Sequence, residues 1–168
     1  MFGMTLATHT IIGGIAASFF PTHPEIGFVA AFASHFALDA IPHFDYPLRA
    51  YEFDNKNAMN SDIVLDKRFA RDLINIGLDI LVGLLASTYI LMFLGKLSLP
   101  ILIAGALGGI IPDALQLVYM KFRHEPLKSL QRFHIWIQRD HRLESKPFIG
   151  IISQIAIIVI ITAIAMLV

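Results

Sequence analysis

The chain contains no cysteine among its 168 residues, and this absence excludes disulfides, thiolate zinc ligands and a thiol nucleophile. Charged residues are also scarce, at 15% against roughly 25% in soluble domains. Basic and acidic residues are equal in number, 13 of each, so no excess of positive charge points to nucleic-acid binding. Any chemistry of this chain must therefore come from oxygen and nitrogen side chains.

Hydrophobic residues dominate the sequence instead. They make up 56% of the chain and give a mean hydropathy of +0.67, whereas soluble domains contain roughly 45–50% apolar residues. Because a transmembrane helix needs about 17–25 mostly apolar residues, the apolar runs predict an all-α integral membrane bundle of about five transmembrane helices in one domain. The predicted spans are about 5–20, 26–44, 72–95, 98–120 and 147–168, with loops 45–71 and 121–146 on one side.

The basic residues are distributed very unevenly between the two sides of this bundle. Twelve of the 13 Lys and Arg residues fall on the side that holds loops 45–71 and 121–146, and only Lys96 lies opposite. By the positive-inside rule, this asymmetry predicts a protein of the cytoplasmic (inner) membrane with a cytoplasmic N-terminus and an outside C-terminus.

One further helix is predicted outside the spans, within residues 125–140. Leu127, Leu130 and Ile137 recur there at helical spacing, while polar residues take the other faces. This pattern predicts an interfacial amphipathic helix on the inner leaflet, with Trp136 anchored at the level of the lipid headgroups.

The segment 34–45 places two histidines and two acids in a stretch that is apolar enough to enter a bilayer. A charge at the bilayer centre costs a contested ~2.5 to 17 kcal/mol, so such groups are usually retained for a function. His35 and Asp39 are four residues apart, share one helix face and could ligate one ion together.

Pro42 predicts a break in the second helix near Ile41, which leaves His43 and Asp45 at its cytoplasmic mouth. These two side chains are candidates for a general acid–base pair or for ligands of a second metal ion. The alternative is that both are ordinary solvated residues of a turn.

Three other predicted helices carry a comparable group, namely His9, Asp79 and Asp113. Each shares its face with small residues, which let helices approach closely, so these faces are predicted to point into the bundle. At about 1.5 Å of rise per residue, Asp79 and Asp113 lie about 10 Å below the cytoplasmic surface and His35 about 13 Å. Because helices of alternating direction give the same depth, we expect one shared site.

Imidazole nitrogens and carboxylate oxygens suit a divalent metal, zinc above all, with manganese or iron as alternatives. A bound cation also offsets the cost of burying several carboxylates together. With more than four candidate ligands, the site has capacity for one or two ions. Each residue also has a structural alternative, as a hydrogen-bonded group that fixes helix packing. The predicted metal ligands are His9, His35, Asp39, Asp79 and Asp113.

His134 and Arg132 lie on the predicted interfacial helix. We expect them to bind a substrate phosphate above the site. The alternative for the basic residues of this segment is electrostatic attraction to the inner leaflet, at roughly 1 kcal/mol per residue.

Three short motifs resemble a known family. They are Thr8-His9 with Gly13-Gly14 behind it, Ser34-His35-x-x-Leu38-Asp39, and Ile111-Pro112-Asp113. They resemble motifs of the membrane-bound metal-dependent hydrolases, a bacterial family that is distantly similar to the zinc-dependent phospholipase C and P1 nuclease group. The resemblance implies that His9, His35, Asp39 and Asp113 are metal ligands.

The sequence therefore predicts a membrane-embedded, metal-dependent hydrolase that cleaves a phosphoester of a lipid or lipid-linked substrate at the cytoplasmic leaflet. Its predicted catalytic residues are Asp39, His43 and Asp45. Two alternatives stay open. The same buried groups could form the proton or divalent-cation pathway of a transporter, or could fix packing in a non-catalytic structural or lipid-binding membrane protein.

Overall fold

The computed structural model describes residues 5–138 and 147–168, and most of this part of the chain is helical. Two short antiparallel strands, β1 (Tyr51–Glu52) and β2 (Asp62–Ile63), interrupt the helices, with Tyr51 opposite Ile63. The helices are α1 (Leu6–Ser18), α2 (Pro24–Asp39), α3 (Lys67–Phe93), α4 (Leu99–Lys121), α5 (Leu127–Gln138) and α6 (Pro147–Met166).

The all-helical prediction is confirmed, and three of the helices are long and apolar enough to cross a membrane: α3, α4 and α6. This is fewer than the five spans that the sequence predicts. Helices α1 and α2 contain only 13 and 16 residues. At their normal rise they are about 20–24 Å long, against about 30 Å for the hydrocarbon core of a bilayer.

Two helix boundaries differ from the predicted spans for local reasons. The break that Pro42 predicts near Ile41 is confirmed, because α2 ends at Asp39 and Ala40 closes its last turn, and the helix is therefore shorter than the predicted span to 44. Helix α3 begins at Lys67 rather than near 72, because the side chain of Asp66 accepts a hydrogen bond from the backbone N–H of Arg68 at 2.7 Å. This N-cap satisfies one of the free amides of the first turn.

The bundle has one end that carries residues 40–66, which we call the loop end. Gln154, near the start of α6, accepts hydrogen bonds there from the hydroxyls of Thr5 and Thr8, at 2.9 and 3.1 Å. Its amide nitrogen donates to the carbonyl oxygen of Phe44 at 2.7 Å. The starts of α1 and α6 and the segment after α2 therefore meet at the loop end.

The opposite end holds the turn between α3 and α4 and the end of α6. There the ammonium of Lys96 donates to the carbonyl oxygen of Ala165 at 3.0 Å. Helices α1, α2, α3, α4 and α6 therefore run alternately up and down between the two ends.

The segment between α2 and α3, predicted over 45–71 as a solvated loop or as a cap over the mouth of the bundle, is partly ordered against the end of α4. The hydroxyl of Tyr119 donates to the carbonyl oxygen of Met59 at 3.1 Å, and the ammonium of Lys121 donates to the carboxylate of Asp62 at 2.7 Å. In the predicted loop 121–146, residues Arg139, Arg142 and Lys146 lie outside the described residues.

Helix α1 lies at the centre of the bundle and packs against α4 through glycines. A Cβ atom at Gly109 of α4 would collide with the backbone carbonyl of His9, and one at Gly13 would collide with the backbone of Gly105. Only glycine permits such close contact of two helix backbones. This approach positions His9 beside the polar residues of α4.

Candidate metal centre

The side chains of His35 and Asp39 face each other on the last turn of α2. The Nε2 atom of His35 lies 3.4 Å from Oδ2 of Asp39, and both side chains are fully buried. The other ring nitrogen of His35, Nδ1, donates to the carbonyl oxygen of Gly109 at 2.8 Å. Because this hydrogen bond places the proton on Nδ1, the lone pair of Nε2 is directed into the cluster.

Asp39 lies between two histidines that come from other helices. Its Oδ1 atom is 3.3 Å from Nε2 of His9, and its Oδ2 atom is 2.7 Å from Nε2 of His134. The His9 ring stacks on the His35 ring at a centroid distance of 3.9 Å. Although Nε2 of His9 and Oδ1 of Asp39 are close, neither has a hydrogen-bond partner among the described residues. Two buried polar atoms without hydrogen-bond partners suit a shared cation.

Asp113 enters the same cluster from α4. Its Oδ1 atom lies 3.6 Å from Nε2 of His35 and 3.6 Å from Nε2 of His134. The side chain of Gln116, one turn later, donates to this oxygen at 2.9 Å. The other carboxylate oxygen, Oδ2, is buried without a hydrogen-bond partner in the described part of the chain.

The spacing of these atoms matches what a metal ion requires. Nitrogen and oxygen ligands about 2.0–2.1 Å from zinc occupy a tetrahedron with edges of about 3.3–3.4 Å. The Nε2 atoms of His35 and His134 are 3.3 Å apart, and the other ligand separations around them run from 2.7 to 3.6 Å. The buried groups His9/His35/Asp39 and His35/Asp113/His134 could each hold a metal ion.

The structure gives His134 a position that differs from the sequence interpretation. We expected it to bind substrate with Arg132, but its side chain is fully buried beside Asp39, whereas Arg132 is exposed. The missed signal is that Gln131, His134 and Gln138 lie three and four residues apart and share one helix face. That polar face is buried in the bundle, and the apolar residue Trp136 is 68% exposed.

Glutamine side chains, which sequence reasoning did not select, orient the carboxylates of the cluster. The Nε2 atom of Gln138 donates to Oδ2 of Asp39 at 2.7 Å. Gln131 donates to Oε1 of Gln116 at 3.3 Å, and Gln116 in turn holds Asp113. Such partners behind the ligands fix their direction and tune their affinity for a metal.

The structure does not bring Asp79 into the cluster. Its carboxylate accepts a hydrogen bond from the hydroxyl of Tyr46 at 3.5 Å and faces the backbone N–H groups of Leu6 and Ala7. Those amides belong to the first turn of α1 and have no partner within the helix. Asp79 therefore caps α1 from a neighbouring helix.

His43 and Asp45 form a separate buried pair beside the cluster. The Nε2 atom of His43 lies 3.4 Å from Oδ1 of Asp45, and Nδ1 donates to the carbonyl oxygen of Ile41 at 2.6 Å. Neither residue belongs to the ligand groups, but the charge of Asp39 acts on the His43 ring. The pair therefore lies within electrostatic range of Asp39 and contributes no ligand to the candidate metal position.

Comparison of the chain with protein-family models, characterised proteins and solved structures finds no match. The likeness of its motifs to the membrane-bound hydrolases therefore stays a prediction.

Proposed function

We propose that this chain is a membrane-embedded metal-dependent hydrolase that acts on a phosphoester of a lipid or lipid-linked substrate at the cytoplasmic leaflet. The observation that carries the proposal is the convergence of five titratable side chains from four helices, none of them more than 4% exposed. They are His9 of α1, His35 and Asp39 of α2, Asp113 of α4 and His134 of α5.

The chemistry of the donors supports a divalent cation at this position. Two carboxylates buried together repel each other and lose their hydration, and a cation offsets both costs. Three imidazoles and two carboxylates suit zinc, with manganese or iron as alternatives. Because Oδ1 and Oδ2 of Asp39 face different histidines, this carboxylate could also bridge two ions.

The proposed reaction is hydrolysis. A bond forms between a water oxygen and phosphorus, the ester bond between phosphorus and the alkoxide oxygen breaks, and the leaving oxygen gains a proton. The metal would supply Lewis acidity and lower the pKa of the attacking water. The His43 imidazole, held by Ile41 and Asp45, would accept the water proton and return one to the leaving group.

The proposed membrane arrangement has five spans with the loop end in the cytoplasm and α5 at the interface. It is supported by the alternation of the helices between the two ends and by the basic residues near the loop end. The short helices α1 and α2 would be accommodated by packing against α4 in the bundle interior. The cluster then lies within reach of the inner leaflet.

The test is turnover in the membrane. The full chain is reconstituted in nanodiscs with zinc, and phosphate or alcohol release is followed from phosphatidic acid and from phosphatidylglycerol. We expect release from one of these lipids and a fall in kcat of about 10²-fold or more for His43→Gln, with metal content retained. Flux of the metal across liposomes without any turnover would instead favour the transporter.

A further inference from the structure

A cleft lined by both polar and apolar side chains lies at the loop end between α3 and the segment that follows Asp45. It has a volume of about 480 Å³ and is lined by Tyr46, Arg49, Asn75, Leu78 and Asp79 together with Pro47 and Leu48. We call it the Arg49 cleft.

The donors of this cleft suit an anion. Arg49 is exposed, and its guanidinium forms no ion pair or hydrogen bond in the described part of the chain. Asn75 adds an amide on the same side. Arginine is the side chain best suited to phosphate, because its planar fork donates two parallel hydrogen bonds.

The acid in the cleft does not cancel this preference. The carboxylate of Asp79 faces the amides of Leu6 and Ala7 and accepts a hydrogen bond from Tyr46, so its charge is directed at the start of α1. Burial, followed by the neighbouring Asp79 carboxylate, raises the pKa of the Tyr46 phenol. Tyr46 therefore stays protonated at neutral pH, donates its proton to Asp79 and adds no negative charge to the cleft.

The cleft opens onto an apolar surface that faces outward from the bundle. Leu78 forms part of its wall, the exposed side chains of Val82 and Leu85 continue along α3 towards the opposite end, and Ile74 lies one turn nearer the loop end. An anion-binding site at the cytoplasmic mouth that runs into an exposed apolar helix face matches a phosphate headgroup with its acyl chains.

The cleft is also close to the candidate metal centre. Tyr46 follows directly on the buried residues His43 and Asp45, and the charge of Asp113 acts on its phenol. A phosphate bound beside Tyr46 would therefore be separated from the cluster by the wall that Tyr46 forms.

We infer that the Arg49 cleft binds the phosphate headgroup of a membrane lipid, with the acyl chains along α3, and that this is where the lipid substrate enters. The second part rests on the proposed function, but the binding itself does not.

The test is lipid retention by the full chain, measured by native mass spectrometry with phosphatidic acid against phosphatidylcholine. We expect Arg49→Gln to weaken retention of phosphatidic acid about tenfold or more, since a hydrogen bond to a charged group is lost. The matched control is Arg68→Gln, an exposed arginine of α3 that pairs with Asp66 outside the cleft. A second variant, Leu78→Trp, fills the cleft without changing its charge, and Leu99→Trp is its control on the exposed surface of α4 at the opposite end.

Loss of retention in Arg49→Gln and Leu78→Trp, with both controls intact, supports the inference. It is overturned if the wild type does not prefer phosphatidic acid, if either variant binds like the wild type, or if Arg68→Gln weakens binding equally. Displacement by inorganic phosphate at matched concentration would also overturn it, because the site would then take free phosphate. Metal content is measured in parallel, so a wild type without metal refutes the hydrolase while leaving the lipid result to stand.

Discussion

The Nε2 atom of His134 lies 2.7 Å from Oδ2 of Asp39, although the two residues are 95 positions apart and belong to α5 and α2. This contact joins α5 to the last turn of α2 in the bundle interior. Because Gln138 also donates to the same oxygen, the buried polar face of α5 is held mainly by the cluster. The position of α5 and the integrity of the candidate metal centre are therefore coupled.

This coupling can be tested with His134→Ala. We expect a loss of metal affinity of about 10-fold or more, since one ligand is removed and Asp39 and Gln116 lose a partner. Amide hydrogen exchange in α5 should rise at the same time. The control is Arg132→Gln on the exposed surface of α5. If His134→Ala changes neither amide exchange in α5 nor metal affinity, the contact positions neither α5 nor the metal ligands.

Substitutions of Asp79 and Asp39 are predicted to affect metal binding differently, although the sequence suggests that both residues are metal ligands. Asp79→Asn should keep its metal and lower stability by about 1 kcal/mol, because the free amides of α1 lose a charged acceptor. That corresponds to a fall in Tm of about 2–4 °C. Metal loss in Asp79→Asn comparable to that in Asp39→Asn would place Asp79 among the ligands.

The contact of α1 with α4 gives a third prediction. Gly109→Ala should destabilise the bundle by about 1–3 kcal/mol, because its Cβ would meet the carbonyl of His9. Gly77→Ala is the matched control, since a Cβ there meets nothing within 4 Å. It should raise stability by up to about 1 kcal/mol through helix propensity alone. Thermal unfolding in detergent measures both, and equal behaviour of the two variants would refute the packing argument.

Trp136 offers a native probe of membrane depth because it is the one tryptophan in the sequence. Its side chain is exposed on the outer face of α5, and we expect it at the headgroup level. Lipids brominated near the headgroup should quench its fluorescence more than lipids brominated at the chain ends. Quenching by aqueous iodide alone would show that α5 stands in water.

The local parts of this account were accessible from sequence because they follow from helical geometry. His35 and Asp39 share a face at four-residue spacing, and the small residues of α1 and α4 mark close packing. The end of α2 followed from Pro42, which predicts the break near Ile41, whereas the apolar run alone continues through Phe44.

The role of α5 could not be read in the same way. In a soluble protein the apolar face of an amphipathic helix is buried, but here the polar face of Gln131, His134 and Gln138 is buried instead. The alternation of polar and apolar residues looks the same in both cases. Which face turns inward depends on hydrogen-bond partners that lie on other helices. Here those partners are Asp39 of α2 and Gln116 of α4.

The central claim is that the buried histidines and aspartates hold a divalent cation. Its most direct test is elemental analysis of the full chain purified at neutral pH, beside a double variant His35→Ala/Asp39→Ala shown to be folded by circular dichroism. We expect stoichiometric metal, zinc above all, in the wild type and almost none in the double variant. A wild type free of metal after incubation with zinc, or a double variant that retains it in full, would contradict the account.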